Sequence, residues 1–118
     1  MGYILIAALS FHSIFDGLAL GSTSTNTQFN AVAFAVCAHK PVASFALGSM
    51  LIPHVSSSSE LGRLMGFFAI TSPIGVAIGL MLLALHEDGD AEGVARTSAL
   101  CQSLAAGTFL YVAIAGRC

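Results

Sequence analysis

Four apolar stretches, at about 1–21, 29–52, 61–85 and 94–115, follow one another along the chain, separated only by the short polar breaks 22–28, 53–60 and 86–93. A helix needs about 20 mostly apolar residues to cross the hydrocarbon of a bilayer, and each stretch meets that length. Inside lipid a segment must satisfy its backbone groups internally, so a spanning segment is a helix unless strands close into a barrel. The alternation a barrel needs is missing here. The expected fold class is all-α: a polytopic membrane helix bundle of four transmembrane helices. Residues 1–118 form one partial transmembrane domain with no room for a separate soluble one. Composition agrees, with 56% hydrophobic and 8% charged residues and a mean hydropathy of +0.87, where a soluble domain carries about a quarter charged residues.

Several classes fall away on the same grounds. Four Lys and Arg residues cannot make a nucleic-acid footprint. The first stretch has no basic leader, and His12 and Asp16 interrupt its apolar run, so it does not read as a secretory signal. Cys37, Cys101 and Cys118 are odd in number, and the first two lie inside spans, so no disulfide framework is expected. Arg63 and Arg117 fall on one side of the membrane and Arg96 on the other, which favours a cytoplasmic second break.

Within the apolar background lies a repeat. Residues 12–22, HSIFDGLALGS, and 39–49, HKPVASFALGS, share five of eleven positions at an offset of 27. That offset is one spanning helix plus a turn, so antiparallel neighbours would hold His12 and His39 at similar depth. Ionisable residues at membrane depth are costly; they face a bundle interior, pair with one another or mark an ion path. His12 and Asp16, at i and i+4, share one helix face with β-carbons about 5–6 Å apart. An imidazole nitrogen and a carboxylate oxygen can then hold one small cation, with His39 as a third ligand from the next helix. Such a set suits zinc and leaves a position open for exchange. It also admits Fe(II), Mn(II) or Cu(II), since N/O sites discriminate weakly among these metals.

The flanking residues refine this picture. A protonated Lys40 cannot ligate a metal and would repel a second cation, and Ala43, equivalent to Asp16 in the second copy, has no ligand atom. Ser13 is a candidate outer-sphere hydroxyl. Pro41 and Pro73 leave the carbonyls of Cys37 and Ala69 without their helical donors and are expected to kink their helices. The pairs Gly17/Gly21, Gly62/Gly66 and Gly75/Gly79 read as packing seams. The acidic third break, His86 to Glu92, and His54 read as interfacial groups.

Other readings of the same residues are a proton path, an Asp16–Lys40 pair that only neutralises buried charge, and a non-transporting helix bundle that is a relic of a transporter. An intramembrane metalloprotease would need an H-E-x-x-H pair, and His12 is followed by Ser13. An enzyme is not expected.

HSIFDGLALGS, HKPVASFALGS, TSPIGVAIG and LAAGTFLYVAI, in this order and spacing over nearly the whole chain, resemble the back half of the ZIP (Zrt/Irt-like) metal-ion transporters. The resemblance implies that the four spans correspond to the fourth to seventh helices of an eight-helix fold. It implies transport of zinc, or in some members iron or manganese, toward the cytoplasm, with zinc as cargo rather than cofactor. Carried over by position, the implied ligands are His12, Asp16 and His39. Asp16 stands where the one-metal branch usually has Glu, and Ser13 where many members have Asn. Lys40 and Ala43 stand where two-metal members have acidic residues. That matches the one-metal branch, which includes plasma-membrane zinc importers. The implied partners are a divalent metal ion, the lipid bilayer, the missing helices of the same transporter and a second copy of the chain. A truncated chain is expected to leave Asp16 and Lys40 facing lipid and, alone, not to transport.

Overall fold

The turn chemistry of the polar breaks sets where the helices begin. Thr25 adopts an extended backbone, and its hydroxyl accepts from the amide of Gln28, which caps α2. This starts α2 at Asn26, three residues before the apolar stretch does, because an N-cap hydroxyl satisfies an amide that would otherwise lack a partner. At the next break Ser57 accepts from the amide of Glu60, whose carboxylate accepts from the amide of Ser56. The S-x-x-E spacing thus works as a capping box shifted by one residue.

A computed structural model describes residues 2–23, 25–85 and 91–115. It contains α1 (Gly2–Gly21), α2 (Asn26–Leu51), α3 (Ser58–Leu85) and α4 (Ala91–Ala115), with a single 3₁₀ turn at Ile52–His54 after α2. All four helices are long and apolar enough to cross a membrane, and no strand occurs among the described residues. Pro41 and Pro73 lie inside helices that continue through them. Most of the acidic third break, together with Arg117 and Cys118, lies outside the described residues. Of that break, Glu92 pairs with Arg96 one turn along α4, at 2.5 Å.

α1 is the hub, packing most extensively on α3, next on α4 and lightly on α2. α1 and α3 run parallel and in register, with facing residues offset by 57 to 59 positions at Tyr3–Glu60 and Ser13–Ser72. Two glycine pairs close this seam. A Cβ on Gly17 would overlap the Ser72 carbonyl oxygen, and one on Gly75 that of Ile14. Gly21 and Gly79 repeat the arrangement one turn on. Lipid gives no hydrophobic drive to helix association, so this close van der Waals approach is what holds the pair. The expectation fails for Gly62/Gly66, where an added Cβ would meet nothing within 4 Å; that pair faces away from the bundle. Toward the N-terminal end of α1, Ile6, Leu9, Leu47, Leu51 and Phe68 form a buried apolar cluster. It fixes the C-terminal half of α2 against α1 and α3.

Candidate metal site

His12 and Asp16 project from one face of α1, and His39 reaches them from α2. The rings of His12 and His39 lie 5.6 Å apart, centre to centre, so the two copies of the repeat do meet at one depth. Asp16 Oδ2 is 2.9 Å from His39 Nε2 and 3.2 Å from His12 Nε2. One ligand atom from each of the three residues falls within 4.8 Å of the other two.

The other ring nitrogens decide the chemistry. His12 Nδ1 lies 2.8 Å from the Ala105 carbonyl oxygen, and His39 Nδ1 lies 2.6 Å from that of Ala35. A carbonyl oxygen only accepts, so in each ring Nδ1 holds a proton and donates it. In the neutral imidazole Nε2 then carries the lone pair. His12 Nε2 thus presents a lone pair toward Asp16, whereas His39 Nε2 is hydrogen-bonded to Asp16 Oδ2, which only accepts, so a proton lies between those two atoms where a cation would otherwise stand. His12 Nε2 is buried and makes no hydrogen bond despite its closeness to Asp16. The contact meets the distance of an ion pair but not the alignment of a hydrogen bond, so the lone pair is unsatisfied. Four ligands at about 2.1 Å around a zinc-like ion stand about 3.4 Å apart, close to the 2.9 and 3.2 Å separations here. Backbone carbonyls on the far ring nitrogens are also what fixes metal-binding histidines in orientation.

The site opens into a cavity of about 460 Å³ between α1, α2 and α4, walled by Ala31, Val32, Ala35 and Phe109 and reached by Gln102. Phe109 packs on both rings, its centre 5.3 Å from that of His12 and 6.4 Å from that of His39. Against expectation, Asp16 is not left open, because its side chain is only 14% exposed; α1, α2 and α4 enclose it. His39 is the most open of the three, at 38%.

Lys40 and Ser13 form a separate cluster. Lys40 Nζ donates to Ser13 Oγ at 3.2 Å and to Ser72 Oγ, and Ser13 and Ser72 share a hydrogen bond of 2.6 Å. The ammonium also stands 5.5 Å from the centre of the Phe68 ring, within cation–π range. This arrangement bears on the alternative reading of Asp16 and Lys40 as a neutralising pair. Lys40 forms no ion pair with Asp16 among those found between described residues; two hydroxyls and an aromatic face hold its charge instead. Ser13 bonds to Ser72 and Lys40 and faces α3. Ala43 is buried beside these helices and offers no ligand atom.

Four contributors escaped the sequence reading: the Ala105 and Ala35 carbonyls, Ser72 and Phe109. Ser72 and Phe109 stand in the segments TSPIG and GTFLYV, but nothing local reveals which helix each meets. A backbone carbonyl carries no sequence signal at all.

The profile of the family described as ZIP Zinc transporter matches residues 1–115. The chain is 39% identical over 118 residues to the protein zntD of Dictyostelium discoideum, covering 95% of this chain and 16% of that protein. It is 39% identical over 111 residues to zinc transporter ZIP2 of Homo sapiens, covering 92% and 34%, and 33% identical over 110 residues to zinc transporter ZIP1 of Danio rerio, covering 93% and 35%. It thus spans about a third or less of the length of these relatives. No solved structure matches it. Family profile and relatives agree over almost every residue described above: the chain belongs to the ZIP zinc transporter family.

Proposed function

We propose that this chain forms the metal-handling helices of a transporter that moves a divalent cation, zinc foremost, across the plasma membrane toward the cytoplasm. His12 Nε2, Asp16 Oδ2 and His39 Nε2 are its ligands. The observation that carries the reading is the convergence of His12 Nε2, His39 Nε2 and Asp16 Oδ2 at bundle depth, both Nδ1 atoms being bound to backbone carbonyls. Zinc is favoured by nitrogen and oxygen donors in a three-ligand set that leaves room for exchange, and by what the names of the relatives say those proteins carry. Fe(II) and Mn(II) remain compatible with the donors. The basic residues favour a cytoplasmic 53–60 break, which puts the 22–28 end outside; import is the direction that the family resemblance implies.

Lys40 sets the number of ions. Held by Ser13 and Ser72, its ammonium supplies the positive charge where a second cation would otherwise lie beside His39. Pro41 and Pro73 withhold amide protons from the Cys37 and Ala69 carbonyls, which loosens α2 and α3 on either side of this level. The remaining helices of the same transporter, and a second copy in a homodimer, supply the surface against which these four move. Alternating access works by one helix group rocking against another around a fixed site.

The direct test is zinc titration of the purified chain in lipid nanodiscs. One equivalent bound by the wild type, and none at the same concentrations by His12→Ala or Asp16→Ala, supports the site. Unchanged binding in both variants refutes it, and binding with no uptake in the full-length protein leaves the inactive relic as the answer.

A further inference from the structure

A divalent cation arrives hydrated and needs a replacement ligand before it can shed water, so the walls of its route matter as much as its site. One side of the candidate site is apolar. Phe109 stands against both histidine rings and also lines a second cavity, of about 300 Å³, among Leu9, Val42, Ala43 and Leu47. None of the described residues lining that cavity carries a side-chain oxygen.

The other side is different. A cavity of about 290 Å³ at the 22–28 end is lined by Ser22, Thr23, Gln28 and Ser98. It shares three residues with the cavity of the site: Ala31, Val32 and Gln102. Of these, only Gln102 carries a polar side chain, so it alone bridges the polar mouth and the ligands. Ser98, Gln102, Ala105 and Phe109 stand at spacings of four, three and four on α4 and so share one face. This stripe runs from a polar mouth, past the carbonyl that orients His12, to an aromatic wall. Gln102 Nε2 donates to Ser98 Oγ at 3.2 Å, and Ser98 is buried, 9% exposed. With its amide nitrogen held there, the carboxamide oxygen is left to coordinate a cation entering the cavities that Gln102 lines.

We propose that Gln102 is a transient oxygen ligand that receives the divalent cation at the 22–28 mouth and passes it to His12, Asp16 and His39. The proposal rests on the reading of those three residues as the binding site. A neutral amide oxygen suits this role, because it substitutes for one water without binding tightly enough to retain the ion. A carboxylate at the same position would hold it longer.

Stopped-flow mixing of Zn(II) with the chain in nanodiscs, followed by competition with a fluorescent chelator, separates rate from affinity. A relay ligand lies on the path and not in the final site, so its loss slows entry and exit together. Gln102→Ala is expected to lower the association and dissociation rates by the same factor, about tenfold, which corresponds to about 1.4 kcal/mol in the barrier. Its Kd should stay within about twofold of the wild type. Gln102→Glu, which keeps the shape and adds charge, is expected to speed association. Unchanged association rates in both variants overturn the relay, and so does a change in Kd at constant association rate. Wild-type affinity in His12→Ala, run alongside, instead removes the site on which the relay depends.

Discussion

Asp16 Oδ2 and His39 Nε2 meet at 2.9 Å across the seam between α1 and α2, helices that otherwise touch lightly. The carboxylate accepts a hydrogen bond from the imidazole where little packing compels the two to meet. A cation that displaces the proton between them turns that hydrogen bond into coordination. Asp16→Asn keeps the shape of the side chain and removes its charge, so it isolates the electrostatic part. Zinc affinity is expected to fall by at least about a hundredfold, or roughly 2.7 kcal/mol. Thermal unfolding in detergent should move little, since the amide still fills the same space. Isothermal titration of wild type and variant in one lipid checks both halves.

Proton release follows from the tautomers. Both Nδ1 protons are committed to the Ala105 and Ala35 carbonyls, so any second proton on either ring sits on Nε2, where the metal binds. Metal and proton therefore compete for the same atoms. Zinc affinity is expected to weaken as pH falls, with at most three protons displaced per ion, one from each ring and one from the Asp16 carboxyl. Titration in buffers of different ionisation enthalpy counts those protons directly; a count of zero across acidic pH would contradict the assignment of Nε2.

Legibility in the sequence divided along physical lines. The four helices could be read because lipid leaves a long apolar segment no alternative to a helix, and the meeting of His12 with His39 because the repeat offset equals one span and its turn. Asp16 joined them by i,i+4 spacing alone. Partner choice across helices was hidden. Lys40 stood one residue from a candidate ligand, yet it turns to Ser13 and Ser72, since adjacent helical positions point about 100° apart. Gly62/Gly66 and Gly17/Gly21 are the same pattern, and only the neighbouring backbone tells a seam from an outward face.

That contrast gives a stability test. A methyl group on Gly17 would press into the Ser72 carbonyl, and one on Gly75 into that of Ile14, backbone against backbone. Neither contact can be relieved by turning a side chain. Gly17→Ala and Gly75→Ala are each expected to destabilise the bundle by about 1–3 kcal/mol, the usual range for overpacking. They should also loosen the site, since Asp16 adjoins Gly17. Gly62→Ala meets open space and should be neutral or slightly stabilising, as alanine is the better helix former. Melting temperatures of the three variants in the same detergent tell the seam from the outward face.

Charge reversal at Lys40 tests what sets the number of ions. Its ammonium occupies the pocket between Ser13, Ser72 and the Phe68 ring, beside His39 in sequence and facing α1 and α3 rather than the ligands. Replacing it with Glu removes a fixed positive charge and adds a carboxylate within reach of two hydroxyls. A buried carboxylate without a counter-ion is strongly disfavoured, so Lys40→Glu should recruit a cation and raise zinc stoichiometry from one to two per chain. Lys40→Met removes the charge and adds no ligand, so it should stay at one equivalent and alter only affinity. Titration of both variants, with metal analysis of the purified proteins, distinguishes them. If Lys40→Glu binds a single zinc while remaining folded, the ammonium is not what excludes a second ion.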